Sequence, residues 1–192
     1  QTCALPIYNV TFVLEDVTEL LLIALPMAFL IILGDIDLSV ASTLTLASDV
    51  MGVLVRGGTP MWLSVLAGLV TGVVCGAFNG LLVTRFGLPA LAVTIGTMAL
   101  YRGLCWVLLG NTPVFEIPES WTNLGFNTIP HTVFPWSFIL VVIFGTIALY
   151  LLHFTRFGRW TYAIGINAEA ARFSGIRVQR VRFLVFVATG FM

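Results

Sequence analysis

The chain has 192 residues, of which 59% are apolar and 9% charged, against about 25% charged in an ordinary soluble domain. Nine acids balance nine bases, every base is Arg, and mean hydropathy is +1.04. Such a chain cannot cover a water-exposed surface. That excludes a cytosolic enzyme, a secreted disulfide scaffold and a disordered segment, and the even charge gives no basis for nucleic-acid binding. The expected class is all-α: a polytopic transmembrane helical bundle.

In chain order, residues 1–7 (QTCALPI) resemble a non-native scar and are set aside together with Cys3. Apolar stretches follow at 17–33, 38–55, 61–83, 89–109 and 136–154, with a stub from 183. They are long and continuous rather than alternating every second residue, which favours helices over a barrel. The stub ends at Met192 after ten residues, half of the roughly 20 that a spanning helix needs, so a C-terminal truncation is expected. Residues 8–192 then form a partial membrane domain. Cys75 and Cys105 sit in apolar stretches as packing residues, and no metal, disulfide or cofactor spacing occurs.

Six of the nine Arg lie between Arg156 and Arg182, beside the single acid Glu169. The positive-inside rule makes 155–182 cytoplasmic. Counting back puts 110–135, with Glu116 and Glu119, outside. The turn 84–88, with Arg85, falls inside, 56–60 outside, 34–37 toward the inside, and the N-terminal end outside. Arg56 is the one exception.

Four constellations stand out. The first is GDIDLSVAS, Gly34 to Ser42, with two carboxylates between apolar stretches. An Asp at a helix centre costs roughly 2.5–3.5 kcal/mol on insertion scales. The preceding uncharged stretch, Leu20–Gly34, covers only about 22 Å at ~1.5 Å per residue, so a broken or re-entrant helix near 34–42 is expected. Two readings stay open: a cytoplasmic turn with Asp37 as N-cap of the next helix, or a break lining a transport pathway formed by Asp35, Asp37, Ser39 and, from the third span, Asn79. The second is Gly68, Gly72, Gly76 and Gly80, spaced by four along one helix face, a packing signal for close helix approach.

The third constellation is Asp49 with Arg102, at similar depth in the second and fourth stretches. They are expected either to pair or to separate, with Arg102 reaching outward and Asp49 facing a cavity. The fourth is the Arg-rich segment from Thr155 to Phe183. Asn167 suits an N-cap, Glu169 the first turn and Gly175 a C-cap, giving a helix of about two turns. A partner surface or a plain basic loop that fixes orientation both fit it.

Glu169-Ala170-Ala171 followed by Gly175 resembles the EAA loop of permease subunits of ATP-binding-cassette importers. RFGRWTYAIGINAEAARFSGIRV is similar to its form in the ribose, rhamnose, xylose and autoinducer-2 permeases. GDIDLSVAS is similar to that family's GGIDLSVGS, and GAFNGLLVTRFGLPALAVTIGTMALYRGL to its next two spans. Asp35 stands where the family usually has Gly, Ala41 replaces another Gly, and the hydrophobic-Pro ending of the EAA loop is absent.

The resemblance implies a multi-pass permease of the bacterial inner membrane that passes a monosaccharide from a periplasmic binding protein to the cytoplasm. It implies an ATPase subunit coupled through Glu169, Ala170, Ala171, Arg172 and Gly175, and a second permease copy. It implies no catalysis by this chain, which lacks a phosphate loop and any Lys. An ion-coupled secondary transporter using Asp35 and Asp37 is the alternative, and a non-transporting scaffold assembled by its glycines a third.

Overall fold

The computed structural model describes residues 4–110, 121, 128 and 134–191. Cys3 and most of the expected outer loop, including Glu116 and Glu119, lie outside the described residues. The helices are α1 (Ala4–Ile32), α2 (Val40–Arg56), α3 (Met61–Arg85), α4 (Ala90–Leu109), α5 (Ser137–Phe154), α6 (Arg156–Ile166), α7 (Ala168–Phe173) and α8 (Val178–Phe191). Among the described residues the architecture is all-α.

The helix ends follow from local chemistry. At the end of α1, Gly34 adopts φ +81°, its N–H donates to Ile31 O, and the Asp35 N–H donates to Leu30 O. This paired closure needs a left-handed residue, which only glycine adopts cheaply. Pro60 and Pro89 occupy the N-cap positions of α3 and α4, where a missing N–H costs no helical bond. The expected interruption near 34–42 is present as the non-helical segment 33–39.

Among the described residues, three helices, α3, α4 and α5, are long and apolar enough to cross a membrane. The α1 helix does not begin at Glu19: it includes Glu15 and Asp16 and starts at Ala4. The apolar stretch is therefore continued as helix on the N-terminal side of Glu19 rather than bounded there.

The most extensive contact joins α3 to α8, followed by α2 with α3 and α2 with α4. The main core lies at one end of the bundle, where Phe29, Leu30 and Leu33 of the α1 end meet Val83, Val93, Ile164, Val181 and Phe186. By contrast, no residue of α5 is buried.

Segment 155–182 is more ordered than a loop. Thr155 caps α6, its Oγ1 accepting the Gly158 N–H at 3.3 Å, and Gly158, Thr161 and Ile164 bury one face at helical spacing. Its low apolar content resembles loop composition, but the residues that matter recur every three positions, as an amphipathic helix requires. The apolar run expected from 183 begins as helix at Val178, with Val178, Val181 and Val185 facing inward.

Candidate functional site

The break at 33–39 places two carboxylates in the interior, and each has a partner. Asp35 is 4% exposed and accepts a two-pronged contact from Arg182 of α8: Nε donates to Oδ2 at 2.7 Å, and Nη2 donates to Oδ1. Asp37, equally buried, accepts at Oδ1 from the Ser39 N–H at 2.8 Å and the Ser39 hydroxyl at 2.7 Å. The helix-capping reading of Asp37 therefore needs adjustment. The N-cap is Ser39, whose side chain makes no cap bond, and Asp37 orients it from two residues upstream.

From Ser39 the hydrogen bonds run across three helices. Asn79 Nδ2 of α3 donates to Ser39 Oγ at 2.7 Å. Tyr101 of α4 donates its hydroxyl proton to Cys75 O at 3.0 Å and lies 3.4 Å from Asn79 Oδ1. Thr94 Oγ1 contacts Ile36 O at 3.3 Å. Ser39, Asn79, Thr94 and Tyr101 are all buried, and no buried side-chain nitrogen or oxygen among the described residues lacks a partner. In a low-dielectric interior, a fully satisfied network of this kind fixes a single arrangement. Of the expected pathway residues, the structure joins Asp37, Ser39 and Asn79 directly and ties Asp35 to α8. Ser42 is buried one turn along α2.

The glycine face divides between two neighbours. A Cβ at Gly68 would lie 3.2 Å from Ala47 O of α2. Gly72 and Gly76 lie against α8, so that a Cβ at Gly72 would overlap Gly190 O and one at Gly76 would overlap Phe186 O. Gly80 abuts Phe183 and Phe186. Gly190, on the facing helix, completes the close approach.

Of the two readings for Asp49 and Arg102, pairing does not occur: they form no ion pair, whereas Asp35 and Arg182 do. The buried seam of α4 runs through Val93, Thr94, Thr97, Tyr101 and Cys105. Arg102, one step past Tyr101, is turned about 100° away at 3.6 residues per turn and is exposed. Asp49 is half-buried beside Cys105 instead.

At the basic end of the chain, Asn167 Oδ1 accepts the N–H groups of Glu169 and Ala170, each at 3.0 Å, opening α7. Gly175, at φ +83°, closes it, with its N–H on Arg172 O and the Ile176 N–H on Ala171 O. Ala171 is buried while Glu169, Ala170 and Arg172 are exposed, and Phe173 is 90% exposed. The α7 helix is thus a capped projection held by one small side chain.

Sequence reasoning misses Arg182, Tyr101 and Gly190. Arg182 lies at the edge of the Arg-rich segment, where one more basic residue beside an apolar run gives no sign of a buried partner. An aromatic within an apolar stretch gives no cue either.

A helical chain with an interrupted first segment, a close-packed glycine face and a capped basic-end projection has the make-up of a membrane permease. The chain belongs to the family described as branched-chain amino acid transport system / permease component, whose model matches residues 9–192.

Among curated relatives it is 38% identical to the ribose import permease protein RbsC of Bacillus subtilis, over 96% of this chain and 57% of that one. It is 34% identical to the autoinducer 2 import system permease protein LsrC of Yersinia enterocolitica, over 95% and 50%. It is 32% identical to the autoinducer 2 import system permease protein LsrD of Klebsiella pneumoniae, over 88% and 52%. The chain spans about half the length of these relatives. No solved structure is a significant match.

Proposed function

We propose that this chain forms part of a permease subunit that carries a small sugar, ribose-like in size and polarity, inward across a bacterial inner membrane. ATP hydrolysis on a separate subunit drives the step, a periplasmic binding protein delivers the sugar, and a second permease copy completes the pathway. The observation that carries this reading is α7. Six residues are too few for a helix to persist alone in water, yet side-chain and glycine caps hold this one rigid and exposed. Such a projection suits a groove on a partner, with Glu169 and Arg172 at its rim and Phe173 available for burial. The five Arg at 156, 159, 172, 177 and 180 surround it, which supports an inner-face position. Relatives named for ribose and autoinducer 2 import support a small solute.

On the same reading, the sugar passes the Asp37–Ser39–Asn79 junction. The inner mouth is then the cavity of about 530 Å³ bordered by Gly34, Leu88, Gln179 and Arg182. The ion-coupled alternative needs a carboxylate free to take a cation, whereas Asp35 is held by Arg182 and Asp37 by Ser39.

The test uses the full-length permease with its ATPase and binding protein in vesicles. Glu169→Lys and Gly175→Val are expected to lower sugar uptake at least tenfold with every subunit still inserted. Normal uptake by both variants overturns the coupling role of α7. Uptake that survives ATP depletion but collapses with an uncoupler overturns the whole reading.

A further inference from the structure

Asp35 and Arg182 are 147 residues apart in sequence, yet they make the ion pair of the described structure. Their positions matter more than their attraction. Asp35 lies two residues before Asp37, which orients Ser39. Arg182 sits in the second turn of α8, separated from α7 only by the short closed turn 174–177.

Further along α8, Gly190 meets Gly72 and Gly76 backbone to backbone, and α3 carries Asn79 toward Ser39. The α8 helix therefore grips the polar junction twice: through Arg182 on the α1–α2 link, and through Gly190 on α3. A two-pronged Arg–carboxylate contact fixes orientation as well as distance, and helices packed at glycine have no side-chain layer to absorb a shift.

We propose that Asp35 and Arg182 are positioning residues for transport, their ion pair being the link that carries displacement of α7 into the Asp37–Ser39–Asn79–Tyr101 junction. This rests on the reading of α7 as the ATPase-coupling element. The pair adds little as plain stabilisation, because a buried ion pair gains little over apolar packing, and Leu33, Val83 and Val181 already supply such packing. What apolar packing cannot supply is a fixed vector between α8 and the segment that holds Ser39.

The experiment follows motion at both ends of the link in the full-length permease assembled with its ATPase subunits. One environment-sensitive thiol label is placed at Ser174→Cys, the exposed C-cap of α7, and, separately, one at Leu38→Cys, an exposed position on the α1–α2 link. The native cysteines, Cys75 and Cys105 among them, are replaced by Ala. In the parent protein, ATP is expected to change the signal of both labels.

In the double variant Asp35→Asn/Arg182→Gln, which leaves no unpaired buried charge, the α7 response is expected to persist. The Leu38 response is expected to fall at least fivefold while ATP is still hydrolysed. Asp35→Glu, which keeps the pair, is expected to retain both responses. A full Leu38 response in the double variant overturns the proposal, as does loss of that response in Asp35→Glu equal to that in the double variant. Absence of any ATP response at α7 in the parent overturns instead the coupling reading beneath it.

Discussion

Asn79 is a single amide on which two neighbouring helices depend. Its Nδ2 holds Ser39 at the start of α2, and its Oδ1 faces the Tyr101 hydroxyl of α4. Replacing it with Leu leaves Ser39 Oγ without its donor in a site closed to water, a loss of about 1–3 kcal/mol for a buried unsatisfied group. Asn79→Leu is therefore expected to lower the thermal midpoint of the purified permease measurably. Thr71→Ala, which removes a hydroxyl bonded only to its own helix at Ala67 O, is expected to leave it nearly unchanged. Equal midpoints for the two variants would show that the cross-helix bonds do not hold α2, α3 and α4 together. Asn79 was legible in the sequence as an amide set among glycines. Tyr101 was not, because a phenol in an apolar stretch has the same signature whether or not its hydroxyl is used.

At the level of helices, the α3 glycines show how much of the packing the sequence announces. The spacing of four identified the contact face, but the neighbour remained open, because Gly190 is a single glycine with no matching spacing around it. The structure sorts glycines that composition cannot. A Cβ at Gly76 meets Phe186 O, whereas one at Gly96 meets nothing within 4 Å. Gly76→Ala is expected to force α3 and α8 apart and sharply reduce resistance to thermal unfolding. Gly96→Ala is expected to be neutral or stabilising by up to about 1 kcal/mol, since Ala favours helix over Gly. The α6 helix was illegible for the opposite reason. Its Arg and Gly content reads as loop, and only the buried face of Gly158, Thr161 and Ile164 gives it away. For Asp49 and Arg102, depth along each helix was legible, but the facing direction about the axis was not.

Across the whole molecule, the cluster of Arg between 156 and 182 sets a sidedness that thiol labelling can read. With the native cysteines replaced, a membrane-impermeant thiol reagent applied to intact cells is expected to miss Phe173→Cys and to reach it once the inner face is opened. Trp62→Cys, at the opposite end of α3 from Arg85, is expected to react from outside. The reverse pattern would invert the topology. Hydropathy made the all-helical class and the long apolar helices α3, α4 and α5 legible. The tie between residues 35 and 182 was not, since two charges so far apart in the chain share no local pattern. That tie also has a consequence for biosynthesis. At about 5–20 residues per second, the ribosome needs roughly 7–30 s to translate the 147 positions that separate the two partners. The carboxylate is therefore made well before its guanidinium, and the segment 33–39 gains its ion-pair anchor only after α8 has been synthesised.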